Sequence, residues 1–415
     1  MMTNRLTTGL RALLFAAGAG LLVAAAPPPG NWVASWAASQ QIPEDRNALA
    51  PADLTDTTLR QLVHLSTGGR RVRVLVSNAF GTEALDIGAA HVARAPAPDS
   101  ARIDPASDRA LTFDGAPGVT IPAGASYWSD PVAIDAAPLS TLAITLHLPK
   151  PPARQTSHPG SRATSYLLAG NHVGAADLAG ARTVDHWYQL ASVAVDAPRD
   201  ARAIVAIGDS ITDGHGATTN GNDRWTDRLA ERLQAAPALR SVSVLNHGIG
   251  GNRVLQDGLG PNLLARFDRD VLAQPGVRYV ILLEGINDLG GLTREAPVDQ
   301  AAHDRLVARI TGAYAQVVSR ARAAGIKAYG ATILPDGGSS YYHPDALNEA
   351  DRAAVNAWIR TPGNFDAVID FDALTRDPAD PRRMRKDYDS GDGLHPSAAG
   401  YRAMADSIPL SLFHR

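Results

Sequence analysis

The stretch Ala203-Ile204-Val205-Ala206-Ile207-Gly208-Asp209-Ser210-Ile211-Thr212-Asp213-Gly214 decides how the second half of this chain is read. Five apolar residues in a row, closed by a glycine, have the length and composition of a strand buried on both faces. The serine that follows sits where such a strand gives way to a helix. Unpaired backbone N–H groups at that junction favour negative charge near the Ser210 hydroxyl. A serine at a helix start is also an ordinary cap, so the motif alone has two readings.

Outward from this point, strand and helix patterns alternate. A helix carrying Trp225, Leu229 and Leu233 on one face comes next, then apolar strand runs at residues 242–245 and 277–283. A long helix follows, with Leu306, Ile310, Tyr314, Val317 and Ala321 on its apolar stripe and Gly325 as its stop. Residues 326–333 and 367–371 read as two more strands, with a helix through Leu347, Ala354 and Trp358 between them. This rhythm predicts a parallel sheet covered on both faces, a three-layer α/β domain over residues 199–415. In such folds ligands bind beyond the carboxyl ends of the strands.

Residues 31–198 have a different rhythm. Arg71-Val72-Arg73-Val74-Leu75-Val76, Leu111-Thr112-Phe113 and Leu142-Ala143-Ile144-Thr145-Leu146 read as short strands. Gly68-Gly69, Asp114-Gly115 and Ala116-Pro117-Gly118 read as turns between strands. With no long helical pattern, this half is expected to be a β-sandwich. Trp32 and Trp36 are expected to pack in its core or between the domains rather than to stack on a ligand.

Composition narrows the chemistry. The 415 residues are 45% hydrophobic and 20% charged, with a formal net charge of −3. That is globular and carries no electrostatic footprint for nucleic acid. The basic run Arg382-Arg383-Met384-Arg385-Lys386 is offset by Asp377, Asp380 and Asp387 and reads as a solvated loop. The absence of cysteine removes thiol nucleophiles, disulfides and thiolate metal sites. His215, His247 and His343 lack metal-ligand spacing, so neither a metal nor another cofactor is expected. At the N-terminus, Arg5 and Arg11 precede an apolar run over residues 12–25 and the small residues Ala24, Ala25 and Ala26. This predicts a signal peptide over residues 1–25, cleaved after Ala25, and a secreted or periplasmic product. The run is shorter than the ~20 residues a membrane span needs.

Three further motifs accompany Ser210. Asn246-His247-Gly248-Ile249-Gly250-Gly251-Asn252-Arg253 follows the second strand, and its glycines allow a backbone N–H to approach a substrate. Gly285-Ile286-Asn287-Asp288 closes the third strand and offers the Asn287 amide as a donor. Asp392-Gly393-Leu394-His395-Pro396 places an aspartate three residues before a histidine, with Pro396 in the first turn of the last helix. An aspartate so placed can hold one imidazole nitrogen while the other faces a serine. Each motif alone also reads as a loop, a turn or a cap. Asp213 is expected to brace the turn after Ser210, and Arg253 either to touch substrate or to pair with a nearby carboxylate.

Together the four motifs resemble, in order and position, the sequence blocks of the SGNH (GDSL) hydrolase superfamily. The resemblance implies a Ser-His-Asp triad of Ser210, His395 and Asp392 and an oxyanion hole of Ser210, Gly251 and Asn287, with Gly250 as the competing glycine. Trp32-Val33-Ala34-Ser35-Trp36 and Arg73-Val74-Leu75-Val76-Ser77-Asn78-Ala79-Phe80-Gly81 are similar to a subgroup with an N-terminal β-sandwich, the secreted acetylxylan esterases and arylesterases. The implied activity is a serine carboxylic-ester hydrolase removing acetyl or short acyl groups from carbohydrate or aryl esters. Lipase, lysophospholipase or thioesterase action and carbohydrate O-acyl transfer are the alternatives. The only partner implied is an ester substrate.

Overall fold

The computed structural model describes residues 30–414, so the leader expected over residues 1–25 lies outside the described residues. Along the strand Arg202–Gly208, successive side chains enter different cores. Ala203, Val205 and Ile207 pack with Leu263, Phe267, Ile310, Tyr314 and Val317. Ile204 and Ala206 pack with Trp225, Leu229, Leu233, Tyr401 and Met404. Each fully buried Leu or Val of this kind contributes roughly 1.5–3 kcal/mol, which drives helices onto both faces. The result is a three-layer domain around a five-stranded sheet. Its order is Val242–Gly248, Arg202–Gly208, Val277–Leu283, Lys327–Ala331 and Ala367–Ile369, parallel throughout. The chain reverses direction across the sheet at Arg202–Gly208, so the crevice for a ligand opens at the end of this strand.

The first half forms two large antiparallel sheets, beside two short two-stranded ribbons, Ser157–His158 with Trp187–Tyr188 and Leu85–Ile87 with Val119–Ile121. One large sheet is built on Trp32–Ala37, Leu190–Asp196 and Gly69–Ser77, the other on Ser165–Ala169, Thr57–His64, Thr141–Leu148 and Ala89–Arg94. Val72, Val74, Val193 and Val195 of the first meet Leu59, Val63, Leu142, Ile144 and Leu146 of the second in one core. Trp36 belongs to that core and meets Trp187 edge to face at 4.8 Å. The two architectures, which change over between Asp196 and Arg202, are not packed apart. Val33, Ala34 and Ala37 join the core of the parallel sheet, Ala34 N–H donates to Pro275 O at 3.0 Å, and Ser66 Oγ accepts from Val244 N–H at 3.0 Å. Asn31–Arg415 is one compact unit.

Several local expectations are corrected. The helix Ala346–Arg360 buries Val355 and Ile359, while Ala354 is exposed and Trp358 half-buried. Its buried face also holds Arg352, paired with Asp372 at 2.8 Å, and Asn356, which bonds both the N–H and the O of Ile333. Polar residues that find partners inside hid the true face from an apolar pattern. The last strand stops at Ile369 because Asp370 caps the helix Phe371–Thr375. The strand expected at Leu111-Thr112-Phe113 ends at Leu111, and Phe113 turns back onto Ala116. Pro396 precedes the last helix, whose cap is Ser397, and does not lie in its first turn. The basic run pairs locally, Arg382 with Asp380 and Arg385 with Asp387, both at 2.8 Å.

Candidate active site

Ser210 opens a single helical turn, Ser210–Asp213, directly after the first strand of the parallel sheet. Asp209 caps it by accepting Ile211 N–H at 2.9 Å, and Gly214, at φ +102°, ends it. One turn has little macrodipole, so what this junction offers is the free Ser210 N–H itself. Ser210 Oγ lies 2.8 Å from His395 Nε2. His395 Nδ1 lies 2.6 Å from Asp392 Oδ2. The carboxylate can only accept, so Nδ1 carries the proton and Nε2 is left to accept from the serine hydroxyl. Asp392 Oδ1 also accepts the N–H groups of Leu394 and His395 at 2.9 and 2.8 Å. Burial would raise the Asp392 carboxyl, but these bonds and the His395 ring hold it well below the usual carboxylate range.

The two glycines of the second motif are distinguished by their partners. Gly250 N–H donates to Asp213 Oδ2 at 3.0 Å. Gly251, at φ +72°, keeps an N–H with no backbone or side-chain acceptor among the described residues. Asn287 lies in the first turn of the helix Ile286–Thr293. Its amide nitrogen donates to Asn252 O at 2.8 Å, and its oxygen accepts from Tyr342 O–H at 2.6 Å. Since Asn252 O can only accept, the amide orientation is determined, and its second N–H is available. Ser210, Gly251, Asn287, Asp392 and His395 all line one open cavity of about 600 Å³.

Asp213 does more than brace its own turn. Its Oδ1 meets His158 Nε2 at 2.9 Å, and its Oδ2 holds Gly250. His158 belongs to the sandwich, and its Nδ1 faces Ser39 O at 2.7 Å. The neighbouring Gly160 is admitted only because it lacks a side chain: a Cβ there would lie 1.9 Å from Asp213 Oδ2. The sandwich loop therefore reaches the wall of the cavity and, through Asp213, the backbone beside Gly251. Nothing in the sequence around His158 marks this contact.

His215 is also at the site. Its ring centroid is 4.0 Å from that of His395. Burial, then the neighbouring His395 and Arg162, push its pKa down to about 4. It is neutral at pH 7, with Nδ1 accepting from Arg162 Nη2 at 3.1 Å. His215, Asp392 and His395 offer ligand atoms within 4.8 Å of one another. Both nitrogens of His395 are already engaged, by Asp392 and Ser210, so a metal would have to displace the serine contact.

A second Ser, His and Asp group lies deeper. Ser39 Oγ donates to Asp270 Oδ2 at 2.7 Å and lies 3.0 Å from His247 Nδ1. Its wiring is not that of a proton relay. The carboxylate takes the serine proton directly, so His247 Nδ1–H must donate to the hydroxyl rather than receive from it. Arg266 Nη1 donates to the same oxygen at 3.0 Å. His247 Nε2 is buried without a partner, and burial pushes the pKa of that histidine down to about 4. Ser39 is fully buried and outside the cavity. Arg266 also holds Gly208 O at 2.8 Å and Asn252 Oδ1 at 2.9 Å. The group thus supports the backbone beneath Ser210 and the loop after Gly251.

No curated protein matches the chain. Among solved structures the chain is similar to a GDSL-like lipase from Bacteroides thetaiotaomicron, at 19% identity over 51% of this chain and 88% of that one, TM-score 0.38. It is also similar to the acetyl xylan esterase AlAXEase, at 20% identity over 49% and 96%, TM-score 0.37. A third is a catalytic mutant of Axe2, an acetylxylan esterase from Geobacillus stearothermophilus, at 22% identity over 52% and 95%, TM-score 0.38. The family model described as the GDSL-like Lipase/Acylhydrolase family matches residues 206–403. Over residues 206–403 the chain thus matches the GDSL/SGNH hydrolases, and the protein is an ester hydrolase.

Proposed function

We propose that Ser210 is the nucleophile, His395 the general base and Asp392 its carboxylate partner, and that the enzyme removes acetyl or short acyl groups from carbohydrate or aryl esters. The observation that carries this reading is the unbroken path from Asp392 through His395 to Ser210 at 2.6 and 2.8 Å, at the wall of the cavity. As Ser210 Oγ attacks the ester carbonyl, its proton passes to His395 Nε2, and Asp392 stabilises the imidazolium through Nδ1–H. The oxyanion then accepts from Ser210 N–H, Gly251 N–H and the free N–H of Asn287. One such donor contributes about 3–4 kcal/mol to the transition state. His395 returns the proton to the leaving alcohol oxygen. It then takes a proton from water as the water attacks the acyl-enzyme, and passes that proton to Ser210 Oγ as the acid departs.

The cavity lining supports a polar substrate. Apart from Pro159, Leu259, Leu394, Tyr341 and Tyr342, it is made of glycines and of polar or charged side chains. Those polar side chains can hydrogen-bond a hydroxylated alcohol. Hydrolysis of aryl esters of rising acyl length tests this: rates should fall steeply beyond the shortest acyl groups, and a rise would place the enzyme with lipases. Acetate release from acetylated xylan, set against aryl acetate, tests the carbohydrate. Acyl transfer to a sugar is the second reading, open because an acyl-enzyme can react with either hydroxyl, and products formed with an alcohol acceptor decide it. Export rests on the leader at residues 1–25, and a mature protein beginning at Ala26 is the expected result of N-terminal sequencing.

A further inference from the structure

Three arginines line the cavity that contains Ser210: Arg46, Arg162 and Arg253. Arg46 is paired with Glu44 at 3.4 Å. The other carboxylates of the cavity are engaged too, Asp213 with His158 and Asp392 with His395. Arg162 and Arg253 form no ion pair among the described residues, and each keeps a buried Nε–H that meets no acceptor. A buried N–H without an acceptor is costly, and an anion is a natural partner for a guanidinium that forms no ion pair. Arg162 is held in place at some expense. It is a non-glycine residue at φ +47°, its carbonyl accepts Asn220 N–H at 2.8 Å, and its Nη2 donates to His215 Nδ1. Strained backbone of this kind persists where surrounding structure enforces it, often at binding sites.

The position of Arg162 says which part of an ester it would meet. His215 links it to His395, the residue that returns a proton to the leaving oxygen. Arg162 therefore stands on the side of the departing alcohol. Resting on the reading of Ser210 as nucleophile, we propose that the preferred substrates are esters whose alcohol carries a carboxylate, such as an acetylated uronic acid, with Arg162 as its main contact and Arg253 adding a second positive charge. The charge raises binding in the productive orientation, and guanidiniums recognise carboxylates in a fork geometry that neutral esters lack.

The test compares 4-acetoxybenzoate with its neutral methyl ester, each rate divided by that of alkaline hydrolysis. The wild-type kcat/KM ratio should favour the anion and should decline as sodium chloride is raised. Arg162→Gln should reduce the ratio roughly 10- to 100-fold and Arg253→Gln by less, while Arg162→Lys should restore part of it. The salt dependence of the wild-type ratio is read on unmutated enzyme, so it stands if a variant misfolds. A ratio near one, indifferent to salt and to both substitutions, overturns the proposal. Arginine dependence seen with mono-aryl succinates and absent with 4-acetoxybenzoate also overturns it, because the charge would then lie on the acyl side. Ser210→Ala, run in parallel on both esters, separates the two readings: if it retains wild-type rates, the nucleophile assignment fails, whatever the arginines do.

Discussion

Ser210, His395 and Asp392 are the same three residue types as Ser39, His247 and Asp270, joined by hydrogen bonds of similar length. Their order of connection differs. In the first group the carboxylate binds the histidine and the histidine receives from the serine. In the second the carboxylate takes the serine proton and the histidine has nothing to receive. Exposure differs as well: Ser210 keeps 8% of its surface on an open cavity, and Ser39 keeps none. A relay needs a free acceptor nitrogen and access to substrate, and only the first group has both. The second is a buried charged network in which Arg266 supports Asp270, Glu284 and the backbone of the active-site loops. Composition and distance do not separate the two. The direction of each hydrogen bond does.

The largest effect that could break this comparison is loss of turnover. Ser210→Ala and His395→Ala should each lower kcat by several orders of magnitude with the fold intact. Ser39→Ala should keep kcat within a few-fold and instead lose about 1–3 kcal/mol of stability, since it leaves buried partners unpaired. Steady-state kinetics beside thermal melts decide this, and an inactive but stable Ser39→Ala would reverse the assignment. Asn287→Ala comes next, with a loss in kcat of roughly a hundredfold or more. An unchanged kcat would remove its amide from the oxyanion site.

His158→Gln sharpens the comparison, because it alters a support rather than a reacting group. We expect kcat to fall roughly 10- to 100-fold with KM little changed, as Asp213 and the Gly250 backbone shift by fractions of an ångström. A variant that loses stability and keeps kcat would make His158 a purely structural contact.

The smallest effect concerns Asp288, which accepts Val254 and Leu255 N–H at 2.8 and 3.0 Å. Burial pushes its carboxyl up to about 6 against those bonds. An unfolded aspartate ionises at about 3.9. Between these values the folded chain holds a proton that the unfolded chain has released, so this group's contribution to stability falls as pH rises through the window. Above about pH 6 the buried charge costs about 3 kcal/mol. Asp288→Asn removes the charge, so its Tm relative to wild type should rise from pH 4 to pH 7. A difference independent of pH would contradict the burial account.

Much of the fold was legible because its signals are local. The strands Arg202–Gly208 and Val277–Leu283 are continuous apolar runs, and the stripe from Ile310 to Ala321 repeats at helical spacing. The four motifs were legible because each follows a strand or opens a helix, and a parallel sheet brings such junctions to one edge. Where the reading slipped, as in the helix Ala346–Arg360, polar residues had found buried partners that no hydropathy pattern records.

By itself, the sequence determined the two architectures, their order, and the residues that gather at the carboxyl edge of the parallel sheet, because each depends on periodicity and turns over a few residues. Tertiary structure alone decided that the sandwich enters the site. His158 meets Asp213 across 55 positions and Arg162 meets His215 across 53. It also decided which glycine keeps an N–H without an acceptor among the described residues, and in what order each of the two serine, histidine and aspartate groups is connected. Those outcomes depend on how separately folded surfaces dock and on which donor faces which acceptor, and neither is encoded in the spacing of residues along the chain.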